Sequence, residues 1–78
     1  MYVYSLESTT DPTKYYVGRT KDIDTRLATH NRGEVGHTKK YIPWKLVFVI
    51  WFEDKTKAHA FERYLKSGSG RAFAKRHF

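Results

Sequence analysis

The segments YVYSL (residues 2–6) and YYVGRT (residues 15–20) decide how the chain begins to fold. Both are rich in tyrosine and valine, which are typical of β-strands. The connection between them, ESTTDPTK (residues 7–14), is rich in residues that favour turns. We therefore predict a β-hairpin in which Tyr4 and Tyr16 face each other across the two strands.

A helix is predicted directly after the hairpin. Thr20 is the predicted N-cap, because a threonine hydroxyl accepts hydrogen bonds from the free backbone amides of a first helical turn. Asp22 and Asp24 suit the positive end of the helix dipole. We expect the helix to run to about Asn31, with Gly33 at its exit.

The second half of the chain begins with a long apolar run. WKLVFVIWF (residues 44–52) lacks strict alternation, which favours a third strand in the centre of the sheet. Asp54 is predicted to cap a helix over KTKAHAFERYLK (residues 55–66), and the glycines of SGSG (residues 67–70) are expected to end that helix as a short connection. RAFAKRHF (residues 71–78) predicts one further short helix.

The order of elements is therefore strand, strand, helix, strand, helix, short helix. This order favours a single α+β domain over residues 1–78, with a small three-stranded, mainly antiparallel sheet flanked by helices. The chain has no cysteine, so aromatic residues, at 17%, have to support the core without disulfides. A reducing, cytoplasmic location is the expectation. The longest apolar run, LVFVIWF (residues 46–52), is far shorter than the roughly 20 residues of a membrane helix, so no membrane contact is expected.

The charge of the chain points to a polyanionic partner. Fifteen Lys and Arg against eight Asp and Glu give a net charge of +7, which favours DNA, with RNA left open. The alternative is a small soluble protein that is merely basic, for instance one associated with the ribosome. The candidates for holding the phosphate backbone are Arg19, Lys39, Lys40, Arg71, Lys75 and Arg76.

Four short motifs follow one another along the chain. YVY (residues 2–4) and YVG (residues 16–18) precede RLATHN (residues 26–31) and AFERYLKSGSG (residues 60–70). In this order and spacing they resemble the GIY-YIG nuclease domain family, a family of metal-dependent phosphodiesterases, with Tyr2 where the family often has glycine. The resemblance covers nearly the whole chain and is closest to short stand-alone members with a "KSG-G" ending.

The resemblance implies that Tyr4 and Tyr16 line an active site and that one of them, preferably Tyr4, is the general base. A tyrosine takes up a proton only as phenolate, and its unperturbed pKa is about 10. Arg19, Arg26 and a metal ion are expected to lower that pKa. Gly18 allows a close approach or a sharp turn. The alternative is that the tyrosines pack the hairpin and that Gly18 merely ends a strand.

Arg26 and His30 are four positions apart and share one face of the first predicted helix. Ile23 and Leu27 mark the buried stripe of that helix, which puts Arg26 and His30 on its flank. A guanidinium there can grip a phosphate oxygen, and the imidazole can orient water or move a proton. The alternative is a solvated arginine and a histidine that is favoured by the helix C-terminus.

Glu62 is, by resemblance, both a catalytic residue and the metal ligand. One carboxylate suffices for Mg²⁺ or Mn²⁺, since Mg²⁺ keeps several waters and takes phosphate oxygens as further ligands. The alternative is a surface ion pair with Lys66. Many family members carry an asparagine downstream of this glutamate, but residues 63–78 contain none, and Ser67 or Ser69 would have to substitute for it.

The resemblance implies a Mg²⁺- or Mn²⁺-dependent endonuclease that hydrolyses phosphodiester bonds in DNA. We expect a preference for single-stranded or branched DNA, because no attached specificity domain is present and because Trp44 and Tyr41 would stack bases if exposed. Trp44 has the alternative role of a core residue that opens the third strand. The competing function is a non-catalytic nucleic-acid-binding module on the same fold, and no protein partner is inferred.

Overall fold

Three antiparallel strands form the sheet of this domain. The computed structural model describes residues 1–78. Strands β1 (Tyr2–Ser8) and β2 (Tyr15–Thr20) form the predicted hairpin, and β3 (Trp44–Trp51) pairs with the other side of β1. The strand order is β2-β1-β3, and the elements follow the order ββαβαα. The predicted α+β fold is confirmed.

The prediction that the apolar run at residues 44–52 lies in the centre of the sheet is wrong. The hairpin strand β1 is central because it pairs on both sides, and β3 forms an edge. Residues 3–6 of β1 are all buried, whereas much of β3 remains exposed. The exposed large apolar residues of β3 are Leu46, Val47, Val49 and Trp51.

The first helix, α1 (Ile23–Asn31), is capped by Asp22 and not by Thr20 as predicted. The Asp22 carboxylate accepts from the Thr25 amide at 3.1 Å, because Asp22 directly precedes the first helical residue. Thr20 instead donates to the Asp22 carbonyl within the preceding turn. The predicted exit is confirmed, since Gly33 follows the helix with a φ of 75°.

Two further helices complete the chain. Helix α2 (Lys55–Leu65) is capped by Asp54, as predicted. Helix α3 (Gly68–His77) begins earlier than predicted, with Ser67 as its N-cap. The SGSG segment is therefore not a connection that ends α2 but the start of α3. A short 3₁₀ helix (Lys39–Tyr41) lies in the loop before β3.

The two faces of the sheet carry different parts of the core. One face packs Val3 and Val17 against Ala58 and Leu65 of α2, with α3 beside them. On the other face, Tyr4 and Leu6 pack with Trp44, and partly buried residues of α1 complete this cluster: Ile23 and Leu27. None of the helices has the length and apolar character needed to span a bilayer.

Candidate active site

Tyr4 lies on the α1 face of the central strand and is fully buried. Its partner in the neighbouring strand is Gly18. A Cβ atom on Gly18 would lie 2.6 Å from Oη and 2.8 Å from Cζ of Tyr4. The missing side chain at Gly18 therefore gives the Tyr4 ring the space to lie across β2.

The prediction that Tyr16 directly faces Tyr4 across the hairpin is wrong, although the two residues are neighbours. The partner of Tyr16 in β1 is Leu6, so the two tyrosines are diagonal neighbours on one face of the sheet. Their ring centroids are 6.2 Å apart, and the Tyr16 ring lies 4.8 Å from that of His30. Tyr16 is only half-buried, so it is the tyrosine of the pair that solvent reaches.

A chain of hydrogen bonds runs from α1 through Tyr4 into the loop before β3. Arg26 Nε donates to Tyr4 Oη at 3.3 Å, and Tyr4 Oη lies 2.8 Å from His30 Nε2. His30 Nδ1 lies 2.8 Å from Thr38 Oγ1, which donates to the Val35 carbonyl. A neutral His30 protonated on Nδ1 satisfies every group in this chain, because Tyr4 then donates to Nε2.

The burial of the site sets its protonation states. Burial raises the pKa of Tyr4, and the hydrogen bond from Arg26 only partly offsets this rise. Burial, followed by the charge of Arg26, lowers the pKa of His30 to about 4. The hydrogen bond to Tyr4 raises the pKa of Arg26, with Tyr16 contributing in the same direction. At neutral pH both Tyr4 and His30 are therefore uncharged, and Arg26 is charged.

Two predictions about this cluster need correction. Arg26 lowers the pKa of Tyr4, as expected, but burial outweighs this effect and the pKa is raised. His30 was placed on the flank of the buried stripe, whereas its ring is fully buried between α1 and the loop that carries Thr38. The helical spacing gave the correct side of α1 but not the loop that covers it.

Glu62 of α2 is a nearly buried carboxylate held by cations. Arg19 Nε lies 2.7 Å from one oxygen, and Lys66 Nζ lies 3.0 Å from the other. His59 Nδ1 is 3.8 Å away. The predicted pair with Lys66 is present, but Arg19, which follows Gly18 in β2, adds a second and shorter one. The Glu62 charge also makes a small contribution to the raised pKa of Tyr4, although α2 packs on the sheet face opposite the Tyr4 ring.

Glu62 offers a single carboxylate to a metal ion, and both of its oxygens face cationic side chains in this structure. No group of three or more His, Cys, Asp or Glu side chains comes together to form a closed metal cage. Mg²⁺ is commonly bound through one or two carboxylates together with water and phosphate oxygens. A single carboxylate is therefore compatible with Mg²⁺ or Mn²⁺, but an ion bound through Glu62 would have to displace Arg19 or Lys66 from its oxygens. Ser67, a predicted substitute for the missing asparagine, is engaged instead in capping α3.

The predicted phosphate-binding residues lie on different sides of the molecule. Arg19 pairs with Glu62, and Lys39 and Lys40 follow Thr38 on the 3₁₀ helix. Arg71 and Lys75 line a cavity of about 610 Å³ on the opposite face of the sheet. Arg76 also lies on α3. Only the first three therefore lie in or next to elements that build the tyrosine cluster or hold Glu62.

Trp44 cannot stack bases as predicted, because it is buried. Its indole Nε1 donates to the Thr38 carbonyl at 2.8 Å, and its backbone amide donates to Asn31 at 2.6 Å. Its alternative role as a core residue that opens β3 is confirmed. Tyr41 is half-buried, and Lys14 and Lys40 lie over its ring.

Sequence reasoning missed Thr38, the buried hydroxyl that holds His30. Thr38 sits in a polar loop without periodicity, and its contact with His30 depends on how that loop folds back onto α1. The anchoring of this loop by Trp44 was missed for the same reason.

Comparison with known proteins identifies a family for this arrangement. Residues 1–76 match the GIY-YIG catalytic domain. A UPF0213 protein of Streptococcus pneumoniae serotype 4 is 38% identical over 66 residues, which cover 83% of this chain and 65% of that protein. A UPF0213 protein of Clostridium perfringens is 35% identical over 66 residues, covering 83% of this chain and 69% of that protein.

A third similar protein has an activity in its name. The structure-specific endonuclease subunit SLX1 of Scheffersomyces stipitis is 36% identical over 67 residues, covering 77% of this chain and 20% of that protein. This chain thus spans less than two thirds of both the pneumococcal protein and SLX1. No solved structure gives a significant match. The match over residues 1–76 shows that the chain belongs to the GIY-YIG nuclease domain family.

Proposed function

We propose that this protein is a divalent-metal-dependent endonuclease that hydrolyses phosphodiester bonds in DNA, with single-stranded or branched DNA as its preferred substrate. The observation that carries the proposal is the convergence of Tyr4, Arg26 and His30 in one hydrogen-bonded cluster beside the half-exposed Tyr16. Glu62 supplies a nearly buried carboxylate that is joined to the hairpin by Arg19, which follows Gly18 in β2.

Arg26 is the group that binds the scissile phosphate in this proposal. Its side chain is charged and half-buried, and only its Nε–H is used by Tyr4. A guanidinium has five N–H donors, so the remaining donors can bind phosphate oxygens. Tyr4 and His30 act as positioning residues, because their hydrogen bonds fix the guanidinium from the buried side.

Tyr16 is a better candidate for the general base than Tyr4. The Tyr4 hydroxyl is buried, donates to His30 and accepts from Arg26, so it has no route to an attacking water. Tyr16 lies on the same face and is half-exposed. The Tyr16 hydroxyl also helps to raise the pKa of Arg26, so it lies beside the group proposed to bind the phosphate.

Glu62 would hold the metal ion. When bound, Mg²⁺ or Mn²⁺ supplies a Lewis acid that stabilises charge on the phosphoryl group. Arg19 and Lys66 orient the Glu62 carboxylate next to the buried part of the sheet. The preference for branched DNA is supported by the similarity to SLX1, which is named as a structure-specific endonuclease subunit.

A cleavage panel tests the proposal. The substrates are end-labelled single-stranded, duplex and branched DNA of one sequence, with RNA of that sequence as a fourth substrate, each with Mg²⁺, with Mn²⁺ and with EDTA. We expect cleavage that requires metal and is faster on single-stranded or branched DNA than on duplex. Binding to these substrates without cleavage in any condition would contradict the proposal and support the non-catalytic binding module.

A further inference from the structure

Tyr2 and Trp51 form an aromatic pair that the proposed cleavage chemistry does not use. They are directly paired across β1 and β3, with ring centroids 4.9 Å apart and an interplanar angle of 64°. Trp51 is 58% exposed, more than any other large hydrophobic residue of the chain. The T-shaped contact with Tyr2 holds an indole that otherwise faces solvent.

The pair lies next to the candidate active site on the same face of the sheet. Tyr2 and Tyr4 are two positions apart on β1 and point to the same face, and the partner of Tyr4 on β3 is Val49. Trp51 is therefore a diagonal neighbour of Tyr4. Such neighbours lie about 7–8 Å apart, which is within reach of large aromatic side chains.

Charged groups of both signs lie at this end of the sheet, where Glu53 and Asp54 follow Phe52. The Met1 amino group donates to the Phe52 carbonyl at 2.9 Å, and Phe52 directly follows Trp51. Burial, followed by the charges of Lys55 and Lys21, lowers the pKa of that amino group. An exposed aromatic ring beside cations is the combination with which proteins bind single-stranded nucleic acid.

The surface formed by Trp51, Tyr2 and Val49 is called the patch here. The charge of the whole chain indicates which partner would bind it. The exposed Trp51 ring with the exposed Val49 beside it also suits a second copy of the chain. Two copies, each with a net charge of +7, would repel each other, whereas a phosphate backbone would be attracted. The patch therefore favours DNA as its occupant.

We propose that Trp51, supported by Tyr2, stacks an unpaired base of the DNA strand that passes through the active site. This inference rests on the proposed function and names the feature of the substrate that the site selects. A base inside a duplex has both faces covered by its neighbours, so only a single-stranded or frayed segment offers a free face to the indole.

Binding without metal tests the inference separately from cleavage. A single-stranded DNA oligonucleotide and a blunt duplex of the same sequence are titrated in EDTA, with tryptophan fluorescence and anisotropy as readouts. Trp44 is buried, so base stacking on Trp51 should quench the fluorescence of wild-type protein with single strand and leave it nearly unchanged with duplex.

Substitutions at position 51 give the decisive comparison. Trp51→Ala should weaken single-strand binding by roughly 5- to 150-fold, the range of one lost stacking contact, with little change for duplex. Trp51→Leu keeps apolar contact with Tyr2 and should show the same loss, whereas Trp51→Phe should recover most of the affinity. Phe78→Ala is the matched control, because Phe78 is half-exposed and lies on the opposite face.

The outcomes separate this inference from the proposed function. Unchanged single-strand affinity in the alanine and leucine variants, or equal losses for single strand and duplex, would overturn the stacking role, even if the wild type cleaves DNA. Trp51 fluorescence that changes with protein concentration in the absence of DNA would assign the patch to a second copy of the chain. That result would also overturn the stacking role. Quenching and selective loss in a protein that cleaves nothing would support stacking and contradict the nuclease proposal.

Discussion

Gly18 is the residue at which a single added atom would disturb the candidate site most directly. Its position beneath the Tyr4 ring leaves no room for a Cβ atom, since Oη of Tyr4 would be 2.6 Å away. The Tyr4 ring cannot easily move aside, because its hydroxyl is hydrogen-bonded to His30 and Arg26. The glycine therefore matters for the shape of the cluster and not for backbone flexibility.

Gly18→Ala should displace Tyr4 and lower the free energy of unfolding by about 1–3 kcal/mol, the usual cost of overpacking. Gly36→Ala is the matched control, because nothing lies within 4 Å of a Cβ there. Denaturant unfolding of both variants measures the difference. Equal stability of the two variants would mean that Tyr4 does not occupy the space over Gly18.

The two tyrosines should respond differently to loss of the hydroxyl. Tyr16→Phe should lower kcat by roughly 10²–10⁴-fold with an unchanged melting temperature, because it removes the proposed base from a half-exposed ring. Tyr4→Phe should cost about 1–3 kcal/mol of stability, because it leaves a buried nitrogen of His30 without a partner. Kinetics and thermal melts of both variants check this. Full activity of Tyr16→Phe would remove it as the base.

At the scale of elements, the sequence predicted the hairpin, helices α1 and α2, and the cap at Asp54, because these depend on local patterns. It did not predict the strand order. The apolar run of β3 resembled a strand buried on both faces, but β1 takes the centre through pairing partners that lie far apart in sequence. The SGSG segment was also misinterpreted, because it begins α3 instead of ending α2, and its Gly70 allows the two helices to approach closely.

The close contact between the end of α2 and the start of α3 gives a prediction at the scale of elements. A Cβ atom on Gly70 would lie 1.8 Å from the Tyr64 carbonyl oxygen, whereas nothing lies within 4 Å of one on Gly68. Gly70→Ala should therefore destabilise the protein by at least about 2 kcal/mol, because backbone must move. Gly68→Ala should be neutral or stabilising by up to about 1 kcal/mol. Thermal melts that rank the two variants in the reverse order would contradict this packing.

At the scale of the whole molecule, the candidate site combines parts that sequence reasoning could name with parts that only the fold supplies. Tyr4, Tyr16, Arg26, His30 and Glu62 were identified by resemblance to a family. Their protonation was not predictable, because it depends on burial that the motifs do not contain. The exposure of Trp51 was not predictable either, because this residue belongs to the apolar run at residues 44–52.

The stability of the whole protein should depend on pH through His30. The folded pKa of about 4 lies below the ordinary value of 6.5, so the unfolded chain takes up the proton first. The contribution of the neutral ring is fully present above pH 6.5 and is lost as the pH falls through 4. This amounts to about 2–3 kcal/mol between pH 7 and pH 4.5.

The contribution of His30 can be isolated by measuring the free energy of unfolding at pH 7 and pH 4.5. The proteins to compare are wild type, His30→Gln and His37→Gln. His37 is exposed, so its variant should follow the wild type. His30→Gln should lose less stability than the wild type on acidification, because the acidic residues titrate equally in all three. Identical pH dependence in the three proteins would mean that His30 is not buried in its neutral form.

The most direct test of the proposed nuclease site is the cleavage rate of Glu62→Gln at saturating Mg²⁺, measured beside Glu53→Gln. Glu53 is an exposed carboxylate just before α2, so its variant controls for the change of charge. We expect Glu62→Gln to bind DNA in EDTA as the wild type does but to show no detectable cleavage, with Glu53→Gln fully active. Cleavage by Glu62→Gln at the wild-type rate would contradict the assignment of Glu62 as the metal ligand.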